Sequence, residues 1–571
     1  MTTATAALDA PIRTEALRAR SGRLLGWVGT LGLLAGLSYL VLVPLFRLQQ
    51  LAFEDGAEGY RRAIERPRIW RTLTTTIGLA MGSLVIALVL GTLLAWASTR
   101  LPRRLGWLRA LPVLPIVVPA VAAVTGWSFL FSPRPGYGNA LLRLLPWWSD
   151  LDEGPIDVYT LPWIILLTGF GLTSFVYLFV SAGFANINTE LVEAAQVSGS
   201  SALGVFFRVT LPLLRPVLLY GGGVALLLGL GQFTAPLLLG TNSGIRVLTT
   251  DMYFSVAQIP VDYATAAAIG SPLLVFGIAV VIVQRVILGD RTRFVTHGGK
   301  AFRSNTRPSR AAAALIVVYG LVSTVLPLSA LAIVACSKFW TADVNLDELT
   351  LDNFRYIFDQ PGVTRAITTS LVASIGAVAI VLPIGFLTAS LLLKRRKYRV
   401  VRSAIDLIVT LPLGVPAVVF GVGFLLAYTQ EPFILYGTRW VIILVYVTLM
   451  LPFATRMLLS GMIALGEAYV EASRVSGAGA IRTNLQIIVP LLRSTIGGAA
   501  ALMFVLLTHE FSASLLVRAP TTQVMGTVLY DQWVSGSYPT VAAIALVMTG
   551  VTMAGVFLAV LLGGSEIFDK L

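Results

Sequence analysis

The sequence predicts an all-α membrane protein of about twelve transmembrane helices, arranged as two parallel six-helix repeats. Three observations predict it. Hydrophobic residues make up 56% of the 571 residues and charged residues only 12%, a balance foreign to soluble domains. A helix needs about 20 apolar residues to cross the hydrocarbon core, and roughly a dozen runs of that length are present. Short motifs of the first half also recur in the second half in the same order.

The apolar runs fall near 24–46, 73–98, 108–131, 158–184, 213–239 and 264–288, then 311–336, 365–393, 403–428, 435–464, 495–517 and 539–563. The first is too long for the apolar region of a signal peptide and follows Arg13, Arg18, Arg20 and Arg23, so it is expected to be a retained anchor. Arg100, Arg103, Arg104 and Arg109 lie between spans two and three, and Lys394, Arg395, Arg396, Lys397 and Arg399 between eight and nine. An excess of Lys and Arg marks cytoplasmic loops. The connector from Arg291 through Lys300 to Arg310 is also basic, whereas Asp343, Asp347, Glu348, Asp352 and Asp359 follow span seven. Both termini are therefore expected in the cytoplasm. The division that results is a cytoplasmic segment at 1–23, a first transmembrane domain at 24–290, a basic linker at 291–310 and a second transmembrane domain at 311–571.

The net charge of +14 sits in these short loops, where it sets topology and attracts anionic lipid, so no nucleic-acid partner is expected. The single cysteine, Cys336, cannot form an internal disulfide.

The repeat is legible residue by residue. Leu114-Pro115-Ile116-Val117-Val118-Pro119-Ala120 matches Leu411-Pro412-Leu413-Gly414-Val415-Pro416-Ala417, Thr74-Thr75 matches Thr368-Thr369, and Gln232-Phe233 matches Glu510-Phe511. Copies with the same span order are related by an axis along the membrane normal, with a pathway expected between them. The prolines of spans three and nine interrupt helical hydrogen bonding, either in pathway helices or as packing kinks.

Between spans four and five stands Glu193-Ala194-Ala195-Gln196-Val197-Ser198-Gly199, with Pro212 thirteen positions after the glycine. Glu471-Ala472-Ser473-Arg474-Val475-Ser476-Gly477 and Pro490 repeat it between spans ten and eleven, offset by 278 throughout. The segment reads as helix, turn, helix. Asn188 and Gly466 take the N-cap positions, Glu190, Glu193, Glu467 and Glu471 lie in the first turns, and Gly199 and Gly477 suit a left-handed turn.

This pattern resembles the signature loop of the permeases of binding-protein-dependent ABC importers. The resemblance spans nearly the whole chain as two six-helix units. It implies a bacterial inner-membrane protein in which Glu193, Ala194, Ala195, Gly199 and Pro212, with Glu471, Ala472, Ser473, Gly477 and Pro490, form loops that seat in two copies of a separate cytoplasmic ATPase. ATP and Mg would be used by that ATPase and none bound by this chain. An extracytoplasmic binding protein would deliver the solute. Ser473 and Val489 depart from the pattern by small changes.

A phosphate-cradling loop is absent, since Gly298-Gly299-Lys300 has no glycine five positions before Gly299 and Ala301 follows the lysine. Neither His297 nor His509 has a metal-ligand partner three or four residues away, so no catalytic or metal site is expected. His509 and Glu510 are read as lying within span eleven, opposite Gly231 and Gln232 in span five. An ionisable residue inside a span marks either a pathway, here with an acidic wall suited to a cation, or a local packing pair. Arg456 is expected to snorkel to the cytoplasmic interface, away from solute. The fusion of two units, with Gln-Phe-Thr-Ala-Pro-Leu-Leu-Leu-Gly from 232 and Glu-Phe-Ser-Ala-Ser-Leu-Leu-Val from 510, is most similar to ferric-iron permeases. Thiamine, 2-aminoethylphosphonate and polyamine importers are alternatives at this level. The rival class is an ion-driven secondary transporter, which needs no ATPase.

Overall fold

The computed structural model describes residues 9–185, 187, 189–288, 309–393 and 399–563, with side chains from Val28 onward except those of Thr189, Ala202, Arg285, Leu288, Leu346, Arg399 and 559–563. Expectations for Asn188, His297, the connector at 291–308 and the basic run at 394–397 lie outside the described residues.

The described residues are helical throughout, without strands. Nine helices among them are long and apolar enough to cross a membrane, and three bent pairs bring the count to twelve. The bent pairs are spans three, nine and eleven, which turn by 93°, 112° and 72°. In the first two the break falls at the second proline of each Leu-Pro repeat. Val118 is extended at φ −81°, ψ 126°, and Pro119 and Pro416 take ψ of 133° and 145°. A proline pushes the residue before it out of the helical region and cannot donate a backbone hydrogen bond. The freed groups find new partners, since Pro119 O accepts from Ala123 N at 2.9 Å and Pro416 O from Val419 N at 3.0 Å.

The halves superpose in their packing logic. Within each, the second long helix lies against the fourth: Ile69–Ser98 on Leu161–Ala185, and Pro361–Leu393 on Arg439–Leu465. Gly91 and Gly385 make the closest approach at equivalent places. A Cβ on Gly91 would fall 2.7 Å from Val176 Cγ1, and one on Gly385 2.7 Å from Ala454 Cβ. Small residues that let backbones approach are the currency of helix packing in lipid, where no hydrophobic drive separates helix from solvent. Val85, Val89 and Ile375 point outward from these helices, so the apolar surface runs all round them.

The first helix of each half crosses to the other. Asp9–Glu65 packs on Ala417–Ala427, where Gly423 would place a Cβ 2.9 Å from Pro44 O. Leu326–Ala335 packs on Ala120–Phe131, where Gly126 lies directly against the carbonyl of Pro327. Tyr39 meets Tyr428 edge to face at 6.3 Å, and Phe129 meets Trp340 at 4.8 Å. The halves are thus mutually embraced.

The offset between copies is 297 at Leu114 and Leu411 but 278 at Glu193 and Glu471. The difference is taken up after Phe131, where 132–160, which includes the short helix Tyr137–Arg143, precedes the next span in the first half and 428–438 does so in the second. At the opposite end, Trp96 packs on Phe206 at 4.9 Å and Ser309 N donates to Arg100 O at 3.0 Å. The loop between spans two and three, the start of span seven and the signature loop therefore share one face of the molecule.

Candidate functional site

Each signature loop is a short helix, a glycine turn and a second helix. Thr189–Val197 is followed by Ala202–Val205, and Ala468–Val475 by Ala480–Thr483. Gly199 and Gly477 have φ of +85° and +79°. Ser200 N donates to Ala195 O at 3.1 Å and Gly199 N to Gln196 O at 2.9 Å, while Ala478 N donates to Ser473 O at 3.1 Å and Gly477 N to Arg474 O at 3.0 Å. Both turns are Schellman motifs that satisfy the orphan carbonyls of the helix end. Open space surrounds both glycines, so conformation alone demands them.

Both second helices pass through one π turn, at Phe206–Thr210 and Asn484–Ile488. Pro212 and Pro490 follow directly on these π turns, at the second position of Leu211–Leu230 and Val489–Leu491.

Glu193, Ala194, Glu471 and Ala472 are exposed on the same face of their helices, and Ala195 is half-buried. Ser473, which departs from the pattern, is buried and hydrogen-bonded through Oγ to Thr483 Oγ1 at 2.8 Å. The equivalent pair in the first loop is Ala195 and Val205. A polar pair and an apolar pair thus fill the same contact. Large apolar side chains stay exposed at four matched positions: Leu191 and Tyr469, Val197 and Val475, Leu203 and Ile481, Phe207 and Leu485. Val197 and Val475 are each 90% exposed. Exposed apolar positions of this kind mark surfaces that meet another protein or the membrane.

Two expectations about the loops change. Gly466 does not cap the second loop helix. It ends the preceding span at φ +73°, and Glu467 takes the N-cap position. Glu190 lies in a first turn and so does Glu471, but Glu193 is the fifth residue of its helix.

Between the halves lies a cavity of about 560 Å³, lined from both by the broken spans, including Pro115, Val118, Pro412 and Pro416. The breaks in the proline-bearing spans are therefore kinks that also wall the cavity. Gln284 and Arg456, partly exposed, lie towards the loop end of the cavity, and the buried Phe511 lies at the other.

Gln232, His509 and Glu510 all line this cavity, as the repeat implies. They do not lie within straight spans. Leu211–Leu230 and Arg493–Thr508 stop just before them, and the chain turns there. Gln232 Nε2 donates to Thr168 Oγ1 at 3.2 Å, and its Oε1 accepts from Phe233 N at 3.0 Å. His509 Nε2 lies 2.8 Å from Thr552 Oγ1, whose own proton goes to Met548 O. Glu510 is a cap: Oε1 accepts from Ala513 N at 2.8 Å, and Oε2 from Ser514 N at 3.0 Å and Ser514 Oγ at 2.6 Å. The carboxylate serves the start of Ser514–Val517, so the acidic wall expected here is largely committed to backbone.

Arg456 overturns the snorkelling expectation. It lines the cavity, and its Nη2 donates to Asp406 Oδ1 and Thr410 Oγ1, both at 2.7 Å. The guanidinium is held in an ion pair across two helices. Asp406 was missed by sequence reasoning; an isolated Asp in the apolar run Arg399–Gly414 was the available signal. Also missed were two short helices beyond the cavity, Leu248–Ala257 and Met525–Val534. Their shared start, a valine followed three residues later by a capping threonine, repeats in both halves.

Comparison with known proteins agrees with the repeat. The family described as binding-protein-dependent transport system inner membrane component matches twice, at residues 77–292 and 381–564. The ferric transport system permease protein FbpB of Actinobacillus pleuropneumoniae is 25% identical over 529 residues, covering 90% of this chain and 75% of that protein. A probable ABC transporter permease, y4fN of Sinorhizobium fredii, is 26% identical over 559 residues, covering 94% and 95%. The sulfate transport system permease CysT of Salmonella typhimurium is 28% identical over 239 residues, covering 41% of this chain and 82% of its own length. With both halves matched and each carrying the signature loop, the chain belongs to the binding-protein-dependent inner-membrane transport components, as a multi-pass ABC importer permease with two such units in one polypeptide.

Proposed function

We propose that this permease imports ferric iron, handed over by an extracytoplasmic binding protein and driven by two copies of a separate cytoplasmic ATPase. The observation that carries the coupling part is the twin loop: the same Schellman turn and the same four exposed apolar positions, twice. Each loop seats in one ATPase subunit, with Glu193, Ala194 and Gly199, or Glu471, Ala472 and Gly477, at the contact. ATP and Mg belong to those subunits. In this reading the loops, the basic segments and both termini face the cytoplasm.

Closure of the ATPases pulls the loops together, and the halves rock around the cavity, so that a solute held there changes sides. The chain makes and breaks no covalent bond. It binds, orients and moves.

Iron is favoured because two-unit relatives matched over most of their length are described as ferric permeases, while the sulfate permease matches over one unit only. The test is uptake into vesicles containing the permease, its ATPase and its binding protein, with ferric iron, thiamine, 2-aminoethylphosphonate and a polyamine offered in parallel. Iron-dependent uptake that requires ATP supports the assignment. Uptake of another solute replaces iron, and uptake without ATPase refutes the coupling.

A further inference from the structure

On the side away from the loops, the cavity reaches Phe511, which belongs to a cluster of four aromatic rings. Phe233 follows the turn after Leu211–Leu230, and Phe511 holds the equivalent place in the second half; their centroids are 5.7 Å apart. Tyr253 on Leu248–Ala257 and Tyr530 on Met525–Val534 meet edge to face at 6.2 Å. Phe233 touches Tyr253 at 5.7 Å, and Phe511 touches Tyr530 at 5.8 Å. The quartet is closed: two contacts lie within a half and two cross between halves. Phe233 and Phe511 are 1% and 2% exposed, and the tyrosines 9% each, which leaves no room for a solute to pass.

Each half holds its own two rings. Leu248 N donates to Thr76 Oγ1 at 2.9 Å, Thr72 Oγ1 donates to Asp251 Oδ2 at 2.9 Å, and Thr249 Oγ1 donates to Gln232 O at 2.7 Å. In the second half Met525 N donates to Ser370 Oγ at 2.9 Å, the same tether at the matched position, and Gly526 lies under the Phe511 ring. The short helix of each half is thereby bolted to that half's second span. Across the quartet the halves meet through side chains, whose contacts are weak and re-formable, unlike the backbone tethers behind them.

We infer that Phe233, Tyr253, Phe511 and Tyr530 form the gate on the side opposite the coupling loops, as two leaves of one Phe and one Tyr each. When the halves rock, the leaves separate at the two cross-half contacts and admit solute to the cavity, and they re-close as the cavity opens towards the loops. The phenylalanines make the inner layer and the tyrosines the outer one. This inference rests on the reading of the chain as an alternating-access importer.

The test uses the full chain with Cys336→Ser, which removes the single native thiol, and with Tyr253→Cys and Tyr530→Cys together, in vesicles with ATPase and binding protein. Cross-linking the pair with an oxidant or a short bifunctional maleimide is expected to abolish ATP-driven uptake, and reduction of the oxidised form to restore it. Each single-cysteine variant, treated identically, is expected to transport. A cross-linked pair that still transports at the untreated rate overturns the gate and leaves the importer reading standing. A second measurement is independent of uptake: Phe233→Ala with Phe511→Ala is expected to make ATP-free vesicles leak small ions. Vesicles that stay tight overturn the gate even where no uptake is reconstituted.

Discussion

The loop at 193–212 and the loop at 471–490 share one backbone plan although most of their side chains differ, whereas the spans they feed differ in shape as well as charge. Both loops keep the glycine in the left-handed region, the π turn and the proline. Past the proline, the first copy runs as one helix from Leu203 to Leu230, while the second turns by 72° at Leu492, with φ −87° and ψ 5°. Deeper still, Arg456 and Asp406 pair in the second half, where the first has Leu178 and Arg109 at the matched positions. In the function proposed above, a loop that must fit the same partner twice keeps its backbone plan, whereas a pathway used by one solute at a time has no need of two identical walls.

Four changes would break or sharpen that comparison. The largest effect is expected from Gly199→Val and Gly477→Val. A β-branched residue at positive φ opens the Schellman turn and misplaces the loop. Either single variant is expected to insert normally and to lose ATP-driven uptake, measured in vesicles beside ATP hydrolysis. Normal uptake from both would end the docking assignment, and loss from one alone would show that the twin loops carry unequal loads.

Next is the embrace between halves. Gly126→Ala and Gly423→Ala each force a methyl onto a backbone carbonyl of the crossing helix, at a cost of about 1–3 kcal/mol as for other overpacked sites. Gly126→Ala is expected to cost more, because its neighbour is closer. Thermal unfolding of the detergent-solubilised protein measures both.

The ion pair comes third. Arg456→Met leaves Asp406 without its guanidinium. With the side chains 32% and 28% exposed, the loss is expected near 1–2 kcal/mol, below the roughly 3–5 of a fully buried pair. Arg456→Met with Asp406→Leu makes the site apolar and is expected to recover most of it. Equal destabilisation of single and double variants would mean that the arginine acts through packing alone.

The smallest effect concerns the loops themselves. Thr483→Val leaves the Ser473 hydroxyl buried without its partner, at about 1 kcal/mol. Adding Ser473→Ala turns the contact into the Ala195 and Val205 pair of the first loop and is expected to be near neutral. A double variant worse than the single would show that the two loops are not interchangeable in their packing.

The parts legible in the sequence were those fixed by local chemistry repeated twice. The helix-turn-helix loops, the glycines at positive φ, the proline breaks and the pairing of Gln232 with Glu510 all follow from short motifs at constant spacing. What could not be read depended on partners distant in the chain. Asp406 and Arg456 stand 50 positions apart and meet only because Arg399–Gly414 packs on Arg439–Leu465. Glu510 reads as a charge in a span until the turn after Thr508 shows its oxygens spent on Ala513 and Ser514. The short helices at Leu248–Ala257 and Met525–Val534 are too brief for a search based on membrane-crossing length, and their position comes from the Thr76 and Ser370 tethers. The tight approaches of Gly126 and Gly423 belong to helices that swap halves, which periodicity does not report.

The central claim is that both loops dock an ATPase. It is tested most directly by placing a single photo-cross-linkable cysteine adduct at Val197 or at Val475, in the Cys336→Ser background, and adding the purified ATPase. Both positions are predicted to yield one adduct per site with the ATPase subunit, so that a chain labelled at both carries two. Adducts at neither position, or uptake that proceeds with no ATPase present, would contradict it.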